Sequence, residues 1–231
     1  MGRQRTFVAI AASVALLVSG CSQSSEDGSP LSSAAASIDA AAEDLLRTSA
    51  EATKKLTSAH IKVDLKGEFD RVGQATAIEG DAQAKPLVVN GQVTYRSGSV
   101  APLIVADDTV SVEIGGTWNE VGATSVVIPP TVIDLSGGLP TLMESLETAH
   151  IAGQDTIEGI ATTRIAGTMP IDTVKELLPE ATGPADVSVW VRASGTPVLA
   201  RTVIDFSTEK AITVTVSNWD APVTVRAVPM P

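Results

Sequence analysis

Ser207-Thr208-Glu209-Lys210 has the Ser-x-x-Lys spacing with which a lysine, one helical turn away, can take the proton of a serine nucleophile. That chemistry makes an acyl-enzyme, and it needs the serine at a helix N-terminus inside a cleft. Here the four residues fall between two alternating runs, where a polar hairpin loop is expected. The two histidines give no better candidate. His60 falls on the polar parity of its run and His150 follows a short helical pattern. Each reads as a solvated or locally bonded ring rather than a general base. The Asp and Glu residues are dispersed along polar faces, with no close pair that could divide acid and base roles. One Cys and two His cannot close a zinc site of the usual type. The chain has no GxSxG, HExxH, P-loop or GxGxxG pattern. No catalytic residue, cofactor or metal site is therefore expected. Trp190, on the polar parity of its run, and Trp219, at a strand end, either mark a binding surface or lie under a loop or helix.

Cys21 carries a different chemistry. Arg3 and Arg5 form a positive segment, and the apolar run from Phe7 to Val18 is too short to span a bilayer. It ends at Val18-Ser19-Gly20-Cys21, which resembles a bacterial lipobox: small residues before a Cys that is diacylglycerylated and becomes the new N-terminus. The alternative is an ordinary secretory signal preceding a buried Cys. A thioether needs no disulfide partner, which suits a sole cysteine. Acyl chains at about 0.8 kcal/mol per buried CH2 hold a protein stably on a membrane when two or more are present. Residues 1–20 are thus expected to be a lipoprotein signal peptide. The Ser-, Ala- and Gly-rich residues 21–37 are expected to be a flexible tether.

The elements that must position any site begin at Ile38. Ile38, Ala41, Ala42, Leu45, Ala52 and Leu56 form an apolar stripe at helical spacing, with acids early and lysines late. At Ala59 the period changes to two. Alternating runs follow at 76–84, 89–97, 110–114, 162–169, 187–192, 198–206 and 212–219, with a short apolar run at 103–106. Turn signals separate most of them: Lys85-Pro86, Ser97-Gly98, Asp107-Asp108, Gly115-Gly116 and Ser194-Gly195. Asn90-Gly91 could itself be a hairpin turn. Pro140 and Pro170 can each start a short helix, the second ended by Pro179. Alternation means one buried and one wet face, as in an antiparallel sheet. The fold class is α+β, with one long twisted antiparallel sheet and helices packed on one face, in a single domain over 38–231.

Composition narrows the function. The 231 residues are 44% apolar and 19% charged, enough for a sizeable core. Acids number 27 against 16 bases, a formal charge of -11, which argues against nucleic acid. Removing the signal takes away two Arg and no acid, so the mature chain is more acidic still. Aromatics are only 3%, so the core is mostly aliphatic. A sheet facing amphipathic helices can close on itself or leave a gap. Leu45, Leu103, Leu139, Leu142, Met143, Leu146, Val174, Leu177 and Leu178 are the candidate wall residues of such a gap. Patterning alone favours plain core for them.

Seven stretches in order change the balance: Leu56–His60, Thr117–Gly122, Asp134–Leu139, Gly153–Gly159, Thr162–Gly167, Val189–Val191 and Ser217–Val223. With the lipobox, they make the chain resemble the LppX/LprAFG lipoproteins of mycobacteria and related actinobacteria, over about 45–225. The resemblance implies a strongly curved, half-barrel antiparallel sheet with helices on its concave face, similar to the LolA/LolB carriers. It implies an apolar cavity of many hundreds of Å3, at or above the usual pocket range. It also implies that the ligand is an acylated lipid or lipoglycan, carried from the plasma membrane toward the outer envelope. The partners would be that ligand, the plasma membrane through the Cys21 acyl chains, and a membrane lipid exporter. Localisation would be the outer, periplasmic side of the cell membrane. Apart from the resemblance, Gly137-Gly138 and the flanking prolines make the segments around Ser136–Leu139 and Pro170–Pro179 the candidate lids. The competing reading is a non-catalytic envelope adaptor with a filled core.

Overall fold

The alternation from Ala59 onward becomes burial in the computed structural model, which describes residues 40–224. Ala59, Ile61 and Val63 are buried, whereas His60, Lys62 and Asp64 remain partly exposed. The described residues form eleven strands: β1 (Ser58–Lys66), β2 (Ala75–Gln83), β3 (Val88–Tyr95), β4 (Val100–Ala106), β5 (Thr109–Ile114), β6 (Thr117–Ala123), β7 (Glu147–Ile157), β8 (Ile160–Met169), β9 (Ala185–Arg192), β10 (Leu199–Ser207) and β11 (Lys210–Ser217). The described residues also form four α-helices, α1 (Ala40–Thr53), α2 (Thr124–Val127), α3 (Gly138–Glu144) and α4 (Ile171–Leu177), and two single 3-10 turns at Asp70–Val72 and Pro130–Val132. Cys21, the signal and tether segments and Ile38 lie outside the described residues.

All strands belong to one antiparallel sheet in the order β6-β5-β4-β3-β2-β1-β11-β10-β9-β8-β7. It consists of two meanders joined where β1 pairs with β11. The consecutive strands β6 and β7 form its two edges. The segment between them, carrying α2 and α3, therefore connects one end of the sheet to the other. Side chains of α1, α3 and α4 and one face of the strands share a single hydrophobic core. The α+β class and the large antiparallel sheet agree with the sequence pattern.

Several local expectations differ. The buried face of α1 is Ala42, Leu46, Ser49, Ala50 and Thr53, with Leu45 and Ala52 at its margin. Small and polar residues take the inner positions because they bond inward. The Ser49 hydroxyl meets Met143 Sδ at 3.7 Å, and Thr53 Oγ1 accepts the Leu199 N–H at 3.0 Å. Asn90 and Gly91 are not a turn; they lie inside β3, opposite Asp81 and Gly80 of β2. Strands β6 and β7 lack a readable alternation. Edge strand β6 has no buried residue, and β7 shifts register at 147–150 and 151–153 against β8. Helix α3 starts at Gly138, ahead of Pro140, because Asp134 organises the turn before it. Its carboxylate accepts N–H bonds from Ser136 at 2.7 Å and Gly138 at 3.4 Å. Pro170 caps α4, which ends before Pro179, as the pattern anticipates.

Gly80 and Gly91 are a structural necessity. A Cβ on Gly91 would lie 2.0 Å from the Glu79 carbonyl oxygen and 2.7 Å from Gly80 Cα, so the two strands approach backbone to backbone. Gly91→Ala is expected to lower unfolding stability by more than about 2 kcal/mol in urea titration. Gly183→Ala, where a Cβ meets nothing within 4 Å, should change it by less than about 0.5 kcal/mol. Equal effects would contradict this reading of the crossing.

Candidate functional site

The meander seam supplies the floor of an apolar pocket of about 220 Å3. Val63 and Leu65 on β1, Ile78 on β2 and Ile212 on β11 project from the buried parity of adjacent strands. Phe69 and Val72, from the β1–β2 connection, form one wall. Ile128, Pro129 and Val132, from the crossover, form another, and Leu177, Leu178 and Pro179 at the end of α4 form a third. The polar lining groups are Asp70, Arg71 and Glu180. A second, smaller pocket of about 170 Å3 adjoins it, with Arg71, Val72, Ile78 and Ile128 common to both. Its further lining comes from β2 to β6 and from Val127 of α2, and is aliphatic apart from Tyr95.

The polar rim is internally bonded. Lys210 Nζ lies 2.8 Å from Glu180 Oε1 and 4.9 Å from the centre of the Phe69 ring. Phe69 in turn meets Phe206 edge to face at 6.0 Å. The Arg71 guanidinium donates to the Glu176 carbonyl oxygen at 2.9 Å, tying the β1–β2 connection to α4. The hydrogen bond from Lys210 holds the Glu180 carboxyl below the ordinary carboxylate range. Lys210 is thus an ion-pair partner at the rim. The Ser-x-x-Lys stretch is the β10–β11 hairpin, in which Ser207 pairs with Lys210 across a two-residue turn rather than opening a helix.

The candidate wall residues separate. Leu177 and Leu178 line the first pocket and Leu103 the second. Met143 and Leu146 line an open groove beside α1 of about 740 Å3, whose other lining includes Glu43, Asp44, Arg47, Glu51 and Glu144. Leu139, Leu142 and Val174 are buried in solid packing, and Leu45 is half-buried against it. The apolar pockets are smaller than the many hundreds of Å3 that the resemblance implies. The turn around Ser136–Leu139 is pinned through Asp134, and a Cβ on Gly138 would meet the Pro130 carbonyl oxygen at 2.0 Å. The stretch after α4 does border the pocket.

Sequence pattern missed the floor and the crossover wall. The signal for Val63, Leu65, Ile78 and Ile212 was their strand parity. For Ile128, Pro129 and Val132 it was the apolar run 126–133 between two elements. The remaining polar candidates have local partners. His60 Nδ1 and Asp81 Oδ1 are 2.8 Å apart, and His150 Nδ1 is 3.3 Å from the Thr148 carbonyl oxygen. The indole N–H of Trp190 donates to Asp155 at 2.9 Å. That of Trp219 donates to the Leu199 carbonyl oxygen at 2.9 Å, with Arg192 over its ring.

The apolar pocket at the sheet seam, with polar groups at its rim, is the candidate site. Comparison with known proteins gives the family. The profile of the LppX_LprAFG lipoprotein family matches residues 41–225, and the chain belongs to that family. It is 34% identical over 222 residues to the Mycobacterium tuberculosis protein named "Putative phthiocerol dimycocerosate transporter LppX", covering 94% of each chain. The crystal structure of M. tuberculosis LppX superposes with a TM-score of 0.71 at 32% identity, covering 81% of this chain and 100% of that one. The crystal structure of LprF from Mycobacterium bovis gives 0.69 at 25% identity, covering 83% and 98%.

The depressed Glu180 carboxyl fixes a pH dependence. A carboxyl whose folded pKa lies below its unfolded value stabilises above the unfolded value, and that contribution disappears as pH falls through the folded one. Glu180 is exposed, so solvent screens the pair and the effect is small, below about 1 kcal/mol. The stability difference between the wild type and Glu180→Gln should be present at neutral pH and vanish on acidification through the carboxylate range. Urea midpoints along a pH series check this, and a difference that grows on acidification would contradict it.

Proposed function

We propose that this protein is a lipid-anchored envelope lipoprotein that receives the acyl chain of a lipid or lipoglycan in the seam pocket and carries it outward from the plasma membrane. The observation that carries the reading is the pocket itself: aliphatic and Phe69 walls, with charged groups confined to Asp70, Arg71 and Glu180. An acyl chain in water is unfavourable by about 0.8 kcal/mol per CH2, and such walls remove that cost without directional bonding. The head group then stays with the polar rim. Membership of a lipoprotein family, and a relative named for lipid transport, support the same reading.

Cys21 would carry the anchoring acyl chains after removal of residues 1–20. Residues 21–37 would tether the domain, which begins near residue 38, on the outer side of the plasma membrane. A membrane lipid exporter would be the donor, and the sheet would be a half-barrel curved around the ligand. No step requires a cofactor or a catalytic group. The modest pocket size implies that α4 and the crossover move apart on loading, because their residues form two of its walls. The same modest size, with the solid packing of Leu139, Leu142 and Val174, favours the second reading: an adaptor with a filled core that binds a protein partner.

A fluorescent fatty acid titrated into the full chain carrying Cys21→Ser separates the two. Saturable binding is expected, weakened about tenfold or more by Leu178→Trp, which fills space worth roughly two methylenes. Binding that is absent, or indifferent to Leu178→Trp, would favour the adaptor.

A further inference from the structure

We propose that Val72 and Ile128 form a septum dividing one acyl tunnel into two chambers, and that side-chain size at these positions sets the chain length accepted. The proposal rests on the lipid-binding reading above. The two apolar pockets share a wall made by Arg71, Val72, Ile78 and Ile128. Two of these four are fixed. Ile78 sits in β2, paired with Val63 on one side and Val93 on the other. Arg71 is held by its bond to the Glu176 carbonyl oxygen, so it lends the wall its aliphatic stem.

Val72, on the same turn as Arg71, and Ile128 present apolar side chains held only by packing. Val72 ends the single turn Asp70–Val72, which lies between Gly67 and Gly73, both at positive φ. Gly73 stands in open space, with nothing within 4 Å of a Cβ position. Ile128 follows the one-turn helix α2 and precedes Pro129-Pro130. It is 2% exposed and lines both chambers. The wall therefore consists of a rigid strand side and a side built from two turns.

The chambers differ in chemistry, which orients the ligand. The first carries Asp70, Arg71 and Glu180. Beyond the shared Arg71, the second offers only aliphatic side chains and Tyr95. A polar head is accommodated at the first, and the methyl end of a chain belongs in the second. With the septum in place, a chain that has filled the first chamber gains nothing from added carbons. With the septum reduced, the same chain continues between Leu103 and Val110.

A homologous series of single-chain lysophospholipids, from octanoyl to eicosanoyl, tests this on the full chain carrying Cys21→Ser. Below the break, each added carbon should tighten binding about fourfold. Above it, the gain should fall to nothing. Ile128→Ala, which also trims a wall of the first chamber, is expected to weaken short chains somewhat and to move the break to longer chains, the position of the break being the diagnostic readout. Val72→Ala, at a half-buried position, should shift it in the same direction and covers the case in which Ile128→Ala fails to fold. Adding Ala75→Phe, which fills the second chamber, should return the break to its original place. A break that stays put in both single variants would overturn the septum while leaving lipid binding intact. Absence of binding by every member of the series would overturn both.

Discussion

The pairing of β1 with β11 carries the architecture, because it joins two meanders that each end at an open edge. From His60↔Ser217 to Lys66↔Ala211 it sets one register for both halves. The far end of the seam is clamped by Asp220, whose carboxylate accepts the Thr57 N–H at 2.8 Å and the Thr57 hydroxyl at 2.9 Å. Ser58 adds a hydroxyl bond to the Ala221 carbonyl oxygen at 2.6 Å. The pocket floor straddles this seam. Val63 and Leu65 come from one meander and Ile212 from the other, so a slip of one residue would leave one meander's share of the floor facing away from the pocket.

Above that floor, close packing and open volume divide the interior. Where α1 meets α3 and the β7–β10 half, small side chains let the elements approach closely, and Leu139, Leu142 and Met143 fill the space. Where α4 and the crossover stand over the seam, the joining segments are prolines and single turns. Such segments cannot complete a helix ridge that would fill the gap. Volume is left on that side, lined by residues with no polar demand of their own. Of the charges at its rim, Glu180 pairs with Lys210 and Arg71 donates to the Glu176 carbonyl oxygen.

Much of the fold was legible because one-faced burial imprints a period on the chain. Ile61 and Val63, or Val187, Val189 and Val191, declare their strands. Edge strand β6 and shifted β7 escaped because neither keeps a constant parity. The site was less legible. Aliphatic residues that line a pocket and those that fill a core obey the same pattern, so Leu178 and Leu142 look alike in sequence. Which of them faces open volume depends on the path of the crossover, set by Asp134 and the close fit of Gly138. The family resemblance conveyed the general class, and the location at the seam required the register.

The central claim is that the seam pocket holds an acyl chain. Mass spectrometry of the protein purified from a lipid-rich actinobacterial host, native and after organic extraction, tests it most directly. The account predicts a stoichiometric, extractable acylated lipid that leaves an apo mass behind. An apo mass from the outset, unchanged after incubation with envelope lipids, would contradict it.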